Sequence, residues 1–333
     1  MLPRNNRIRA TLATLTVSLV ALTVHAQQQG KKASQTPEDV GQVFKVDTRL
    51  VVCNAIVVDR NGHLVTDLKQ SNFAVMENGQ PQAIRVFKRE DVPVSMGLVI
   101  DNSGSVRSKR AKVAAAALAL VKDSNKDDEV FVVNFNDDAY LDLPHNKDFT
   151  SDIGEMEEAL SRIDARGGTA MRDAIRMSID HLRQKAHKNK KVLVVVTDGN
   201  DNASVINLEN LVRSSQQSDV LIYAVGLLSE EEKREAARAK KDLSVLTEST
   251  GGESFFPKDI TEVDRIAHQV AHDIRSLYTI EYSPSNVAMD GSYRKIQISV
   301  NASGKLRVRT RSGYYAAPDA VNPPQGSNSL INH

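Results

Sequence analysis

Lys191-Val192-Leu193-Val194-Val195-Val196-Thr197-Asp198-Gly199 is the stretch whose pattern decides the fold. Its apolar run is unbroken rather than alternating. That is the pattern of a strand buried on both faces, and such strands belong to parallel sheets covered by helices on either side. Outward from it, residues 94–100, 130–135 and 220–226 repeat the strand character. Residues 106–122, 152–163, 170–182, 208–217, 230–248 and 261–277 between and beyond them have helical composition. Strands alternating with helices predict an α/β domain over residues 93–275, a doubly wound and mainly parallel sheet.

The flanks change character. In residues 43–92 the segments 43–47, 50–58, 65–68, 73–77 and 84–87 read as strands, and Asn61-Gly62 and Asn78-Gly79 are hairpin-turn signals. Residues 276–316 return to β, with alternation at 278–282, 296–300 and 306–310. Each flank is too short to bury a core alone. The expectation is that the two pair into one smaller β-rich domain, with the α/β domain inserted between them. Residues 27–42 are polar and read as a flexible linker, and residues 317–333, with Pro318, Pro323 and Pro324, as a disordered tail.

Arg4, Arg7 and Arg9 precede an uncharged apolar run from residue 10 to 24, followed by Val24-His25-Ala26. This is the layout of a secretory signal cleaved after Ala26. The run is short for a membrane span. The expected location is therefore secreted or periplasmic, with no membrane span in the mature chain. The chain has 333 residues, enough to bury a core without metal or disulfide staples. Its net charge of +1 argues against nucleic acid as a partner. A single cysteine, Cys53, excludes an internal disulfide and a Cys-rich zinc site. Its apolar setting reads as a buried strand position.

Ligands of parallel α/β sheets bind at the carboxyl ends of the strands. One strand here ends in Asp101-Asn102-Ser103-Gly104-Ser105 and another in Thr197-Asp198-Gly199, while Gly167-Gly168-Thr169-Ala170 precedes a helix. The candidate metal ligands are Asp101, Ser103, Ser105, Thr169 and Asp198. The set is oxygen-only, which suits Mg²⁺, Mn²⁺ or Ca²⁺ rather than Zn²⁺ or Cu²⁺. Mg²⁺ is the first choice. Gly104 is read as permitting the tight turn, and Gly167-Gly168 as letting the backbone pass close to an ion.

In spacing, order and context these pieces resemble the DxSxS, Thr and Asp elements of the metal-ion-dependent adhesion site of von Willebrand factor A domains. The flanking segments 57–62, 73–79 and 311–315 are similar to parts of bacterial, acidobacterial-type secreted proteins related to that family. The resemblance implies that Ser103 and Ser105 touch the ion directly and that Thr169 does so when a ligand is engaged. It implies that Asp101 and Asp198 act mostly through water. It also implies that an Asp or Glu of a protein partner completes the coordination, so the expected function is adhesion or scaffolding without catalysis.

Two other classes compete. One is a Mg²⁺-dependent hydrolase or phosphatase. A haloacid-dehalogenase-type enzyme needs a second Asp two residues after the first, where Ser103 stands, and no His or Glu falls in the three loops to serve as a base. The other is a structural envelope protein whose metal site is unused. Helix capping alone is the plainest alternative for these Ser, Thr and Asp residues. Three smaller features read as solvated surface: His268 and His272 at helical spacing, the basic turn of Lys185, His187, Lys188, Lys190 and Lys191, and the acidic run at 230–235. Asp137, Asp138 and Asp201 lie near loop ends, Asp201 as a possible supporting group at the rim.

Overall fold

The structure is a computed structural model and describes residues 50–316, apart from residues 90, 123–124, 145–146, 162–164 and 229–232. The export signal, the linker, the tail and the strand read at 43–47 lie outside the described residues.

The elements run in the order β1 (Val51–Val58), β2 (Phe73–Glu77), β3 (Gln80–Gln82), β4 (Ile84–Lys88), β5 (Val94–Asp101), α1 (Arg110–Lys122), β6 (Glu129–Phe135) and β7 (Ala139–Leu141). Then follow α2 (Ile153–Ser161), α3 (Met171–Lys185), β8 (Lys190–Thr197), α4 (Leu208–Gln216), β9 (Val220–Gly226), α5 (Lys233–Thr250), β10 (Ser254–Phe255) and α6 (Glu262–Arg275). The chain closes with β11 (Tyr278–Tyr282), β12 (Tyr293–Val300), β13 (Arg307–Arg309) and β14 (Gly313–Tyr315).

The central sheet has the order β10-β9-β8-β5-β6-β7. All its pairings are parallel except β6 with β7. Every residue of β5 is buried, because helices cover both faces. Leu98, Ile100, Val194 and Val196 face α1 and α6, together with Ala116, Leu120, Val263 and Val270. Phe131 projects from the opposite face, where its ring lies 4.6 Å from that of His181 on α3. β8, the stretch with which the sequence reading began, lies between β5 and β9.

The flanks form two further four-stranded sheets, β13-β1-β11-β4 and β14-β12-β2-β3. Each takes two strands from before the α/β domain and two from after it. Cys53, Ala55, Val75, Tyr278, Ile280, Tyr282, Ile296 and Tyr314 belong to the core they share. β1 serves both cores: Ile56 and Val58 belong to the hydrophobic core of the α/β region. Burial pushes the Cys53 thiol up to about 12, so it is a packing residue and not a nucleophile. Glu77 is buried here, and its Oε2 accepts from the hydroxyls of Tyr282 at 2.7 Å and Tyr314 at 2.9 Å.

Three readings need correction. Residues 65–68 are not a strand. The Val65 N–H bonds Val57 O, and the Tyr278 hydroxyl donates to Val65 O and accepts from the Leu68 N–H. The basic turn is not uniformly solvated. Lys190 is 5% exposed and donates to the Ile274 carbonyl at 3.2 Å. Burial pushes its ammonium down to about 8. The 106–122 segment is not one helix, since residues Gly104–Ser108 form a 3-10 turn before α1 begins. Two short strands, β7 and β10, add to the edges of the central sheet. The Asn78-Gly79 turn has positive φ at both residues, as a tight hairpin requires, and joins β2 to β3.

Candidate metal centre

The parallel register places the carboxyl ends of β5 and β8 side by side, with Ile100 opposite Val196. Asp101 is the last residue of β5, and Asp198 follows the last residue of β8. Asp101 is 1% exposed. Its Oδ1 accepts the Ser103 N–H at 2.8 Å and its Oδ2 accepts the Thr197 hydroxyl at 2.6 Å. Burial pushes its carboxyl above the ordinary value, against the pull of those two hydrogen bonds. The negative charge of Asp198 pushes it in the same direction as burial.

Ser103 and Ser105 have their hydroxyl oxygens 3.0 Å apart, and Ser105 donates to Asp198 Oδ1 at 2.8 Å. A continuous chain of side-chain oxygens thus runs from Ser103 through Ser105 to Asp198. Ser103 precedes the 3-10 turn without making a side-chain cap bond, and the residue capping α3 is Ala170. Helix capping therefore does not account for Ser103 or Thr169.

Thr169 comes from the loop before α3 and is 4% exposed. Its hydroxyl lies 3.9 Å from where a Cβ on Gly199 would stand, which puts it beside the residue that follows Asp198. Its backbone is pinned on both sides. The Thr169 N–H donates to Asn202 Oδ1 at 2.9 Å, and its carbonyl accepts from the N–H groups of Asn202 and Ala203.

One glycine acts differently from expectation. Gly104 does not have positive φ, and a Cβ there would meet nothing closer than the Gly167 carbonyl at 3.9 Å. The turn is an ordinary 3-10 turn that other residues adopt. Gly167 does have φ of +76°, and a Cβ on it would lie 2.1 Å from Asp137 Oδ2. Asp137 uses this space to accept the Gly168 N–H at 2.7 Å, tying the 167–169 loop to the one after β6.

Asp201 is committed elsewhere. It accepts from Arg172 through both backbone and guanidinium, at 2.7 and 2.8 Å, and from the Ser204 hydroxyl at 2.7 Å. It braces the loop after β8 against α3. Asp137, Asn202, Thr197 and Lys109 are the supporting residues that the sequence reading did not assign. Thr197 was legible as the residue before Asp198; the others depend on loop closure between distant segments. Lys109 Nζ lies 3.2 Å from Asp198 Oδ2 and also donates to the Leu227 carbonyl at 2.9 Å.

Among the described residues, no group of three or more His, Cys, Asp and Glu side chains is placed to share an ion. His268 lies on an exposed helix face, 3.9 Å from Asp264. The rim fits a hard cation through a different donor set: hydroxyls outnumber carboxylates, and all donors are oxygen.

The sequence profile of the von Willebrand factor type A domain matches residues 96–269, more than half of the chain. The chain belongs to the von Willebrand factor type A domain family. Such VWA domains bind a divalent cation at the metal-ion-dependent adhesion site, commonly mediate protein interactions and are generally not enzymes. Mouse integrin alpha-11 is 35% identical over 106 residues, covering 30% of this chain and 8% of that protein. Mouse vitrin is 26% identical over 220 residues, covering 62% of this chain and 32% of that protein. This chain thus corresponds to a minor part of either relative. The solved von Willebrand factor type A structure from Catenulispora acidiphila aligns over 80% of this chain and 75% of its own, with 15% identity and a TM-score of 0.48. The described residues of this VWA protein contain no helix long and apolar enough to cross a membrane.

Proposed function

We propose that the protein is an exported, metal-dependent protein-binding module of the adhesion or scaffold type. Its site would be formed by Asp101, Ser103, Ser105, Thr169 and Asp198. The observation that carries this reading is the chain of side-chain oxygens from Ser103 through Ser105 to Asp198, lying beside the buried Asp101. Ser103 and Ser105 would hold the cation directly, and Asp101 and Asp198 through water. A divalent cation, Mg²⁺ first and Mn²⁺ or Ca²⁺ next, would supply a positive centre with an open position for a partner's Asp or Glu carboxylate.

The chain's own residues supply the rest. Asp101 is held by Thr197 and the Ser103 amide, so it cannot swing away from the rim. Thr169 is fixed by Asn202 at the level of Gly199, from which its hydroxyl would engage the ion when a partner carboxylate arrives. With few direct carboxylates, the ion keeps positive character, which favours an external acid. In this proposal the module spans 93–275, and the paired segments 43–92 and 276–316 are its attachment base. Residues 1–26 would be removed on export.

The test is a pull-down of acidic, Asp-containing peptides by the purified protein in Mg²⁺ and in EDTA, beside a phosphatase assay. Mg²⁺-dependent capture lost in EDTA supports the module. Turnover of a phosphate ester that is lost in Asp101→Ala would transfer the site to the hydrolase class.

A further inference from the structure

The Ser103–Ser105–Asp198 chain does not end at a vacant carboxylate: a lysine of this chain already sits on its far oxygen. The Asp198 side chain is 2% exposed, and Lys109 Nζ approaches its Oδ2 to 3.2 Å. Lys109 is the residue after the 3-10 turn, and its backbone N–H closes that turn on Val106 at 2.8 Å. A second bond, to the Leu227 carbonyl at 2.9 Å, fixes the ammonium between the ends of β8 and β9. The neighbouring cations point elsewhere, with Arg107 on the Ala165 carbonyl and Arg110 on the Leu160 carbonyl. The lysine side chain is 30% exposed, so it is anchored at the rim without being entombed.

We propose that Lys109 is a resident counter-ion of the metal site. It neutralises Asp198 in the metal-free protein and sets the divalent affinity by opposing the incoming charge. Two acidic side chains close together at one buried rim repel each other, and an ammonium on one of them relieves that repulsion. The same ammonium repels a divalent cation that shares Asp198, at short range and in a partly desolvated setting where charges are poorly screened. Lys109 therefore stabilises the empty site and weakens the filled one. It also leaves the filled site one charge more positive than the same ligands without it, which favours capture of an anionic partner over retention of a bare ion. This role rests on the proposed metal site, and the experiment separates the two.

The full chain and its Lys109→Gln, Lys109→Met, Lys109→Arg and Asp198→Ala variants are titrated with MgCl₂ by calorimetry and melted in EDTA. The expected result is that both neutral variants bind Mg²⁺ more tightly, on the order of tenfold, and melt lower in EDTA than the wild type. Lys109→Arg keeps the charge and stays near the wild-type affinity. A lysine that merely supports the loop would give the opposite sign, weaker binding in the neutral variants. Unchanged or weaker Mg²⁺ binding in Lys109→Gln and Lys109→Met, with a wild type that binds and an Asp198→Ala variant that does not, overturns the role of Lys109 alone. A wild type that binds no Mg²⁺ overturns the metal site and the role of Lys109 together.

Discussion

The two ends of the central sheet are polar in opposite ways. At the carboxyl end, Asp101, Ser103, Ser105 and Asp198 converge, and their hydrogen bonds run largely to one another. At the amino end the charges are paired off across elements. Arg275 binds Asp91 and Asp128, and Arg309 binds Glu253 and Asp273. Arg311 donates to the carbonyls of Gln216 and Ser218 just before β9, and Lys190 to that of Ile274. The second end is where the chain enters β5 from the β-rich flank and leaves α6 to rejoin it. At the amino end, Arg275 and Arg309 each bridge two acidic residues and so tie separate elements together. At the carboxyl end the rim oxygens bond in a chain to one another, with the one ammonium of Lys109 at its end. On the proposed reading, the same parallel sheet separates a fastening from a binding surface at its opposite edges.

The largest effect expected from breaking this comparison is in the flank. Glu77→Ala removes the acceptor shared by the Tyr282 and Tyr314 hydroxyls, both buried. Removing the acceptor of two buried hydrogen bonds costs about 2–5 kcal/mol. Denaturant unfolding should show that loss, and Mg²⁺ titration of the surviving folded fraction should show the wild-type affinity. A change in metal affinity would mean that the two ends are coupled.

Metal removal comes next and acts on the other end. A ligand at a hundred times its dissociation constant stabilises by about 2.7 kcal/mol, so EDTA should lower the melting temperature of the Mg²⁺-loaded protein by an amount set by that figure. Thr169→Ala sharpens the distinction within the rim. It should weaken capture of an acidic partner by about 1 kcal/mol while changing Mg²⁺ binding less, as binding curves for the peptide and the ion would show. Equal losses for both would make Thr169 a plain ligand of the ion.

The last effect is a pH dependence at the amino end, spread over about two pH units. An unfolded lysine holds its proton to about pH 10.4, whereas folded Lys190 releases it near 8 because of burial. Between those values the unfolded chain binds more protons, so stability rises with pH. The wild type should therefore gain on Lys190→Met between pH 8 and 10, by at most about 1.4 kcal/mol per pH unit. A flat difference between the two unfolding curves would show that Lys190 titrates normally.

The long apolar strands and the order of the loops at their ends were legible in the sequence, because burial on both faces leaves an unbroken pattern and ligand loops follow strand ends. The strand reading 73–77 coincides with β2, and 278–282 with β11. Elements of two or three residues, such as β7 and β10, carry no period and were not. Residues 65–68 read as a strand, yet Tyr278, more than two hundred positions away, bonds the Val65 carbonyl and the Leu68 N–H. Lys190 looked like one more charge in a solvated run until the end of α6 covered it. At the rim, residue types and spacing gave the candidate donors. The residues that hold those donors still, Asp137 and Asn202, and the cation on Asp198 come from other segments and are set by tertiary packing.

The central claim is that the carboxyl-end rim holds a divalent cation, and the most direct test is a thermal melt. The purified protein and its Asp101→Ala variant are melted in EDTA and then in Mg²⁺, Mn²⁺ and Ca²⁺ in turn, with calorimetry on the same samples. The account predicts a rise in melting temperature with at least Mg²⁺ in the wild type and none in the variant, with matching heats of binding. No rise and no heat in the wild type, or an equal response from Asp101→Ala, would contradict it.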